Sequence, residues 1–224
     1  IVFGDWSSDV CSSDLLLGTL LLGMWQAAAA QGVLIEAEAF ASRGGWEIDT
    51  QFVDAMGSPY LLAHGMGVPV ADAVTAVSLP HAGTWRLWVR TRDWTPDFAG
   101  EKPGRFQIAL NGVTLPAVFG TAPAAWGWAD GGLFTTDATE LELRLKDLTG
   151  FDGRCDALYL AADTDAPAPP ADGDALRVWR AHLLGEDTAP DSGGDYDLVV
   201  VGGGLAGTDR KSTRLNSSHR IRSR

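Results

Sequence analysis

The chain has 224 residues, with 29 Asp and Glu against 17 Lys and Arg, for a formal net charge of −12. Residues 209–224 hold six of the basic residues and one acidic one, so residues 1–208 carry −17, and that acidity counts against nucleic acid as a partner. A hydrophobic content of 46% suits one or two ordinary globular domains.

Residues 1–14 have no initiator Met, no periodicity and no basic residue. Residues 15–25 are apolar throughout apart from small residues, and Gln-Ala-Ala-Ala-Ala-Gln follows at 26–31. This pattern matches the apolar region and small-residue cleavage site of a signal peptide, and it is too short to span a membrane as a helix. Residues 15–31 are therefore expected to be a signal-peptide remnant of a secreted or periplasmic protein, leaving no stable membrane span after cleavage. Asp5, Asp9 and Asp14 stand where such a signal has basic residues.

Residues 33–162 read as short strands between turn residues. In residues 84–90, Trp85, Leu87 and Val89 share one face, and Arg86, Trp88 and Arg90 the other. Phe106, Ile108 and Leu110 alternate likewise, Asn111-Gly112 supplies a type I′ hairpin signal, and residues 113–118 are the returning strand. Residues 139–145 place Leu141, Leu143 and Leu145 inward and Glu140, Glu142 and Arg144 outward, and residues 155–161 close the series. No helix of useful length interrupts this run. The fold class predicted is mainly β, an antiparallel β-sandwich large enough to bury its own core.

Residues 163–194 differ. A polar, Pro-rich stretch at 163–173 reads as an extended linker. Residues 174–184 give a short helix with Leu176, Trp179 and Leu183 on one stripe, ended by Gly185. At 197–207 the chain reads Asp-Leu-Val-Val-Val-Gly-Gly-Gly-Leu-Ala-Gly, an apolar strand running into a Gly-x-Gly-x-x-Gly turn. Gly202 permits the tight turn, Gly204 lets the backbone approach a pyrophosphate, and Gly207 lets a following helix pack on the strand. Residues 195–208 thus read as the first strand and turn of a Rossmann-type domain. The basic tail at 209–224 has no apolar face to continue it.

Several groups invite a chemical reading. Glu36 and Glu38, two apart on one predicted strand, point to the same face, and Asp156 lies on the last strand. Paired carboxylates need something positive, either a Ca²⁺ ion, which accepts several oxygens in irregular geometry, or a neighbouring Arg or Lys. Of nine Trp, Trp94, Trp126 and Trp128 fall in Gly-, Pro- and Asp-rich stretches, where exposed rings would cover the apolar faces of sugars. Packing under long loops is the competing role, and the favoured one. Trp85 is expected in the core; Trp46 and Trp88 fit either side. Cys155 beside an apolar strand reads as a small buried hydrophobe. His64 and His81 complete no triad, there is no Gly-x-Ser-x-Gly elbow, and no catalytic residue is assigned.

Three resemblances extend this reading. Ile-Glu-Ala-Glu at 35–38, with Asp-x-Leu-x-Leu at 156–160, resembles the galactose-binding-like sandwiches of many carbohydrate-binding modules. That resemblance implies a jelly roll with a structural calcium held by Glu36, Glu38 and Asp156, and a carbohydrate ligand. The order of sandwich, Pro-rich linker and glycine turn, with the segments at 51–65, 89–95 and 148–156, resembles exported bacterial FAD-dependent oxidoreductases. It implies FAD bound in the parent protein through Gly202, Gly204 and Gly207, with the sandwich as an accessory domain. The chain given would then be catalytically incomplete and would not retain the flavin. Residues 1–14 and 209–224 resemble translated sequencing adapters, which implies that neither segment is native. The alternative function is a glycan-binding sandwich with a structural calcium and no enzymatic role.

Overall fold

Strand formation follows the alternation of apolar and polar residues in the computed structural model, which describes residues 32–186 and 194–195. The strands are β1 (Gly32–Glu36), β2 (Glu47–Asp49), β3 (Tyr60–His64), β4 (Ala73–Ser78), β5 (Gly83–Thr91), β6 (Phe106–Leu110), β7 (Val113–Thr114), β8 (Gly127–Thr136), β9 (Glu140–Asp147) and β10 (Phe151–Ala161). A one-turn helix α1 (Val53–Met56) precedes β3, and α2 (Gly173–Leu184) follows β10. One sheet runs β2-β3-β10-β5-β8, with β1 also on β10; the other runs β4-β9-β6-β7. Every strand pairing among the described residues is antiparallel. The predicted antiparallel sandwich, followed by a short helix, is what forms.

The core lies between the sheets, where inward positions of both meet. Trp85, Leu87 and Val89 of β5 and Leu158 and Leu160 of β10 face Leu141, Leu143 and Leu145 of β9 and Phe106 and Ile108 of β6. Each such side chain contributes roughly 1.5–3 kcal/mol on burial. Trp46 belongs to this core and meets Phe106 edge to face, with ring centroids 5.6 Å apart. Cys155 is also a core residue, and burial pushes its thiol pKa up, so it acts as a small neutral hydrophobe.

The hairpin at Asn111-Gly112 forms as the sequence indicates, with φ of 48° and 80° at the two turn residues. Its returning strand is shorter than predicted, β7 covering two residues, because Pro116 has no N–H to continue the ladder. Gly185 caps α2 in the left-handed conformation, φ 69°, with its N–H returned to the last helical turn.

The outer face of β5 departs from expectation. Alternation sets Arg86, Trp88 and Arg90 on the side away from the core, yet Trp88 and Arg90 are buried. The reason is α2, which packs Trp179 and Leu183 onto Trp88, Tyr159 and Ala161. The polar stretch before it is bound as well: the carbonyls of Thr164, Pro170 and Ala171 accept hydrogen bonds from Arg86, Trp128 and Arg90. No helix among the described residues is long and apolar enough to cross a membrane. The signal-peptide remnant and the strand and turn carrying Gly202, Gly204 and Gly207 lie outside the described residues.

Candidate functional site

Among the described residues, two places gather chemistry-bearing side chains, one on the outer face of the larger sheet and one among loops. The first is built around β10. This strand pairs with β3 over residues 151–155 and with β1 over residues 157–161, and its register against β5 shifts between Cys155 and Ala157. Alternation back from Leu158 and Leu160 would aim Asp156 into the core. The irregularity lets Cys155 take the inward position and turns Asp156 to the outer face, as a bulge re-aims a side chain.

Asp156 is fully buried there. Its Oδ2 accepts from Arg90 Nη1 at 2.8 Å and from Arg180 Nη1 at 2.9 Å, and its Oδ1 from Ser58 Oγ at 3.1 Å. Glu36, the last residue of β1, receives Arg180 in fork geometry, Nε at 3.0 Å on Oε1 and Nη2 on Oε2. Arg180 Nη2 also donates to Ser58 Oγ at 2.8 Å. Burial opposes the charge on Arg180, but Asp156 and Glu36 outweigh it and hold its pKa above the ordinary value.

Glu38 is not on the strand with Glu36, as alternation suggested. The chain leaves β1 at Glu36 and enters a 3-10 turn at Ala37–Ala39, which carries Glu38. Even so, one carboxylate oxygen from each of Glu36, Glu38 and Asp156 lies within 4.8 Å of the others, an arrangement consistent with the calcium site that the sequence resemblance implies. Glu38 Oε2 is buried without a hydrogen-bond partner among the described residues. Burial, reinforced by the charges of Glu36 and Asp156, pushes its pKa up to about 7. The donor set therefore suits a cation, and Glu38 has an oxygen to spare. Both oxygens of Glu36 already accept from Arg180, and Asp156 Oδ2 accepts from Arg180 and Arg90, while Asp156 Oδ1 accepts from Ser58 alone. Sequence reading named the three acids but missed both arginines; Arg180 was visible beside Trp179 on the buried stripe of the helix, next to an expected apolar face.

The second place is an open groove of about 600 Å³ lined by Trp94, Phe98, Pro103 and Phe151, with Glu101 and Arg105 on its rim. Phe98 is 56% exposed and Phe151 48%. The loop between β5 and β6 that carries it is fastened from below. Buried Asp93 accepts from Thr95 N at 2.8 Å and pairs with Lys102 Nζ at 2.9 Å, and Lys102 also donates to the carbonyls of Thr95 and Pro96. Burial works against the Asp93 carboxylate, but Lys102 and Thr95 hold its pKa below the ordinary value. Trp94 Nε1 donates to the Phe151 carbonyl at 3.0 Å, and the Arg154 guanidinium lies 5.4 Å from the Trp94 ring centre.

The three Trp singled out from the sequence do not come together. Trp94 lines the groove. Trp126 packs against Tyr60 and Phe52, with centroids 4.8 and 5.8 Å away. Trp128 sits on β8 rather than in a loop, its Nε1 donating to the Pro170 carbonyl at 2.9 Å and its ring meeting Trp179 at 5.6 Å. Phe98 and Phe151, the groove's other rings, had no sequence signal beyond their loop neighbours. His64 pairs with Asp152 at 2.6 Å, while His81 stacks on Trp85.

No protein-family model matches the chain, and no curated protein matches it. Among solved structures it is similar to a GH26-CBM35 β-(1,4)-mannanase from Podospora anserina, at 21% identity and TM-score 0.47, covering 62% of this chain and 29% of that one. A family 35 carbohydrate-binding module from Clostridium thermocellum is similar at 20% identity and TM-score 0.46, covering 58% of this chain and 98% of that one. The CBM35 of Paenibacillus barcinonensis is similar at 16% identity and TM-score 0.45, with coverages of 58% and 99%.

Proposed function

We propose that the sandwich is a carbohydrate-binding module that takes its glycan in the groove of Trp94, Phe98 and Phe151. The observation that carries this reading is the groove itself, in which aromatic rings stand half open to solvent on a loop fixed from below by Asp93 and Lys102. Sugar rings present apolar C–H faces that such rings cover, and rim groups such as Glu101 and Arg105 are placed to read hydroxyls. A fixed loop also spares the ordering cost that a mobile one would impose on binding.

The test is titration of the full chain with soluble glucans, xylans, mannans and pectic polysaccharides, followed by calorimetry. Binding of at least one, weakened roughly tenfold or more in Trp94→Ala and in Phe98→Ala, is the expected result. A chain that binds none of them, or variants that bind as well as the wild type, would overturn the assignment.

In this reading the module belongs to an exported protein. Calcium, if taken up, would draw on Glu36, Glu38 and Asp156. The FAD-dependent parent is the second reading, and the motif at 197–207 favours it. In that parent the module occupies 33–162, residues 163–194 join it to the flavin domain, and 195–208 open that domain. Native sequence beyond Thr208 tests it: an Ala-rich helix followed by a strand ending in Asp or Glu is expected, and a stop codon there would remove the flavin assignment.

A further inference from the structure

The acidic cluster already holds a cation, and that cation belongs to the chain. Arg180 lies on α2, 144 residues from Glu36 and 24 from Asp156, and its side chain is 7% exposed. Its Nε and Nη2 serve Glu36, its Nη1 serves Asp156, and the second Nη2 hydrogen serves Ser58. We infer that Arg180 is the resident cation of the Glu36–Glu38–Asp156 cluster, so that docking of α2 and binding of a divalent cation there exclude one another.

Two observations carry this. The first is that the acceptors coincide. Both oxygens of Glu36 and Oδ2 of Asp156 accept from Arg180, so a metal drawing on these carboxylates competes with Arg180 for Glu36 and finds only Oδ1 of Asp156 clear of arginine. The second is the charge balance. The cluster sets three carboxylates against Arg180 and Arg90. A divalent ion added beside both guanidinium groups would bring four positive charges to three negative ones in a buried site, where unbalanced charge is costly. An ion that replaced Arg180 would leave three against three. Arg90 stays in either case, since it is anchored to the Ala171 carbonyl as well. The consequence reaches beyond the cluster. Arg180 shares its helix with Trp179 and Leu183, which cover Trp88 and Tyr159, so its withdrawal would loosen the lid over that aromatic face.

The experiment compares the full chain with Arg180→Met and Arg180→Lys, using Trp-sensitised terbium luminescence and melting with calcium or EDTA. Terbium should bind Arg180→Met about tenfold tighter or more than the wild type, with Arg180→Lys between, and calcium should raise the Tm of Arg180→Met more than that of the wild type. A wild type that binds no terbium beside a variant that does is the same exclusion at its limit. If Arg180→Met is unfolded in EDTA, recovery of the sandwich on adding calcium supports the inference, and failure to recover counts against it. Equal terbium affinities in the two chains, or no affinity in the variant, would overturn it. Hydrogen exchange on a wild type shown to be saturated with terbium gives an independent reading. Amides of 176–184 should exchange about tenfold faster or more, and unchanged protection there would also overturn the inference.

Discussion

Glu38 sits among charges that its neighbours have already settled, for Arg180 and Arg90 hydrogen-bond Glu36 and Asp156 but not Glu38. Its pKa is raised from 4.5 to about 7, so the folded chain favours its neutral form. The folded state then binds the proton more tightly than the unfolded one. Stability from this group is complete below pH 4.5 and is lost as pH rises through about 7. The Tm measured in EDTA should therefore fall across that window, and Glu38→Gln should flatten the fall. A profile identical in both chains would show that Glu38 is not the group responsible. His64 is also raised, by its hydrogen bond to Asp152, and titrates in the same direction; it is common to both chains and cancels in the comparison. Asp156→Ala removes an acceptor from Arg90, Arg180 and Ser58 together. Leaving buried Arg90 without a carboxylate, and Arg180 with Glu36 alone, costs about 3–5 kcal/mol, to be read from the urea midpoint.

At the scale of elements, α2 is the informative one. From its stripe, Trp179 and Leu183 cover the aromatic face made by Trp88, Trp128 and Tyr159, where Trp179 meets Tyr159 with centroids 5.0 Å apart. Trp179→Ala should cost about 3–5 kcal/mol if the site cannot collapse around the gap, less if the helix shifts to fill it. Near-UV circular dichroism and urea melting together distinguish these outcomes. The β6–β7 turn offers a smaller and cleaner test. Gly112 has φ of 80° and open space where a Cβ would stand, so Gly112→Ala meets no clash and only the left-handed backbone opposes it. A loss of about 1 kcal/mol is expected, and a neutral result would mean that the turn relaxes to another type.

For the described residues as a whole, sandwich and helix should unfold as one unit. The ion pairs of Arg180 and the bonds from Arg86, Arg90 and Trp128 to residues 164–171 tie the segment after β10 to the sheet at several depths. Far-UV circular dichroism, which follows strands and helix, and Trp fluorescence, which reports on both the core and the face under α2, should give coincident urea transitions. A separate early loss of helix signal would mean that α2 is only loosely held. Glycan binding should be insensitive to Trp179→Ala, because the groove of Trp94, Phe98 and Phe151 is lined by none of the residues that α2 covers.

Several of the elements are legible in the sequence, though β8, the strand of Trp128, is not. Alternation in residues 139–145 placed Leu141, Leu143 and Leu145 inward, Asn111-Gly112 marked a two-residue hairpin, and Gly185 ended the helix, all of which are local properties of the chain. It also named the three acids of the cluster. What it could not determine was how they are arranged or satisfied. Asp156 shares its parity with Leu158 and Leu160, and only the irregular pairing of β10 with β5 turns it outward. Glu38 leaves the strand at a 3-10 turn, Trp128 packs beneath Trp179 of a helix far along the chain, and Phe98 and Phe151 become neighbours of Trp94 only through the loops between sheets. Arg180 adjoins the apolar stripe of its helix in sequence, but only the fold sets it against Glu36. Periodicity records which face a residue takes within its own element; the partner on that face comes from strands and helices distant in sequence, and only tertiary structure decides it.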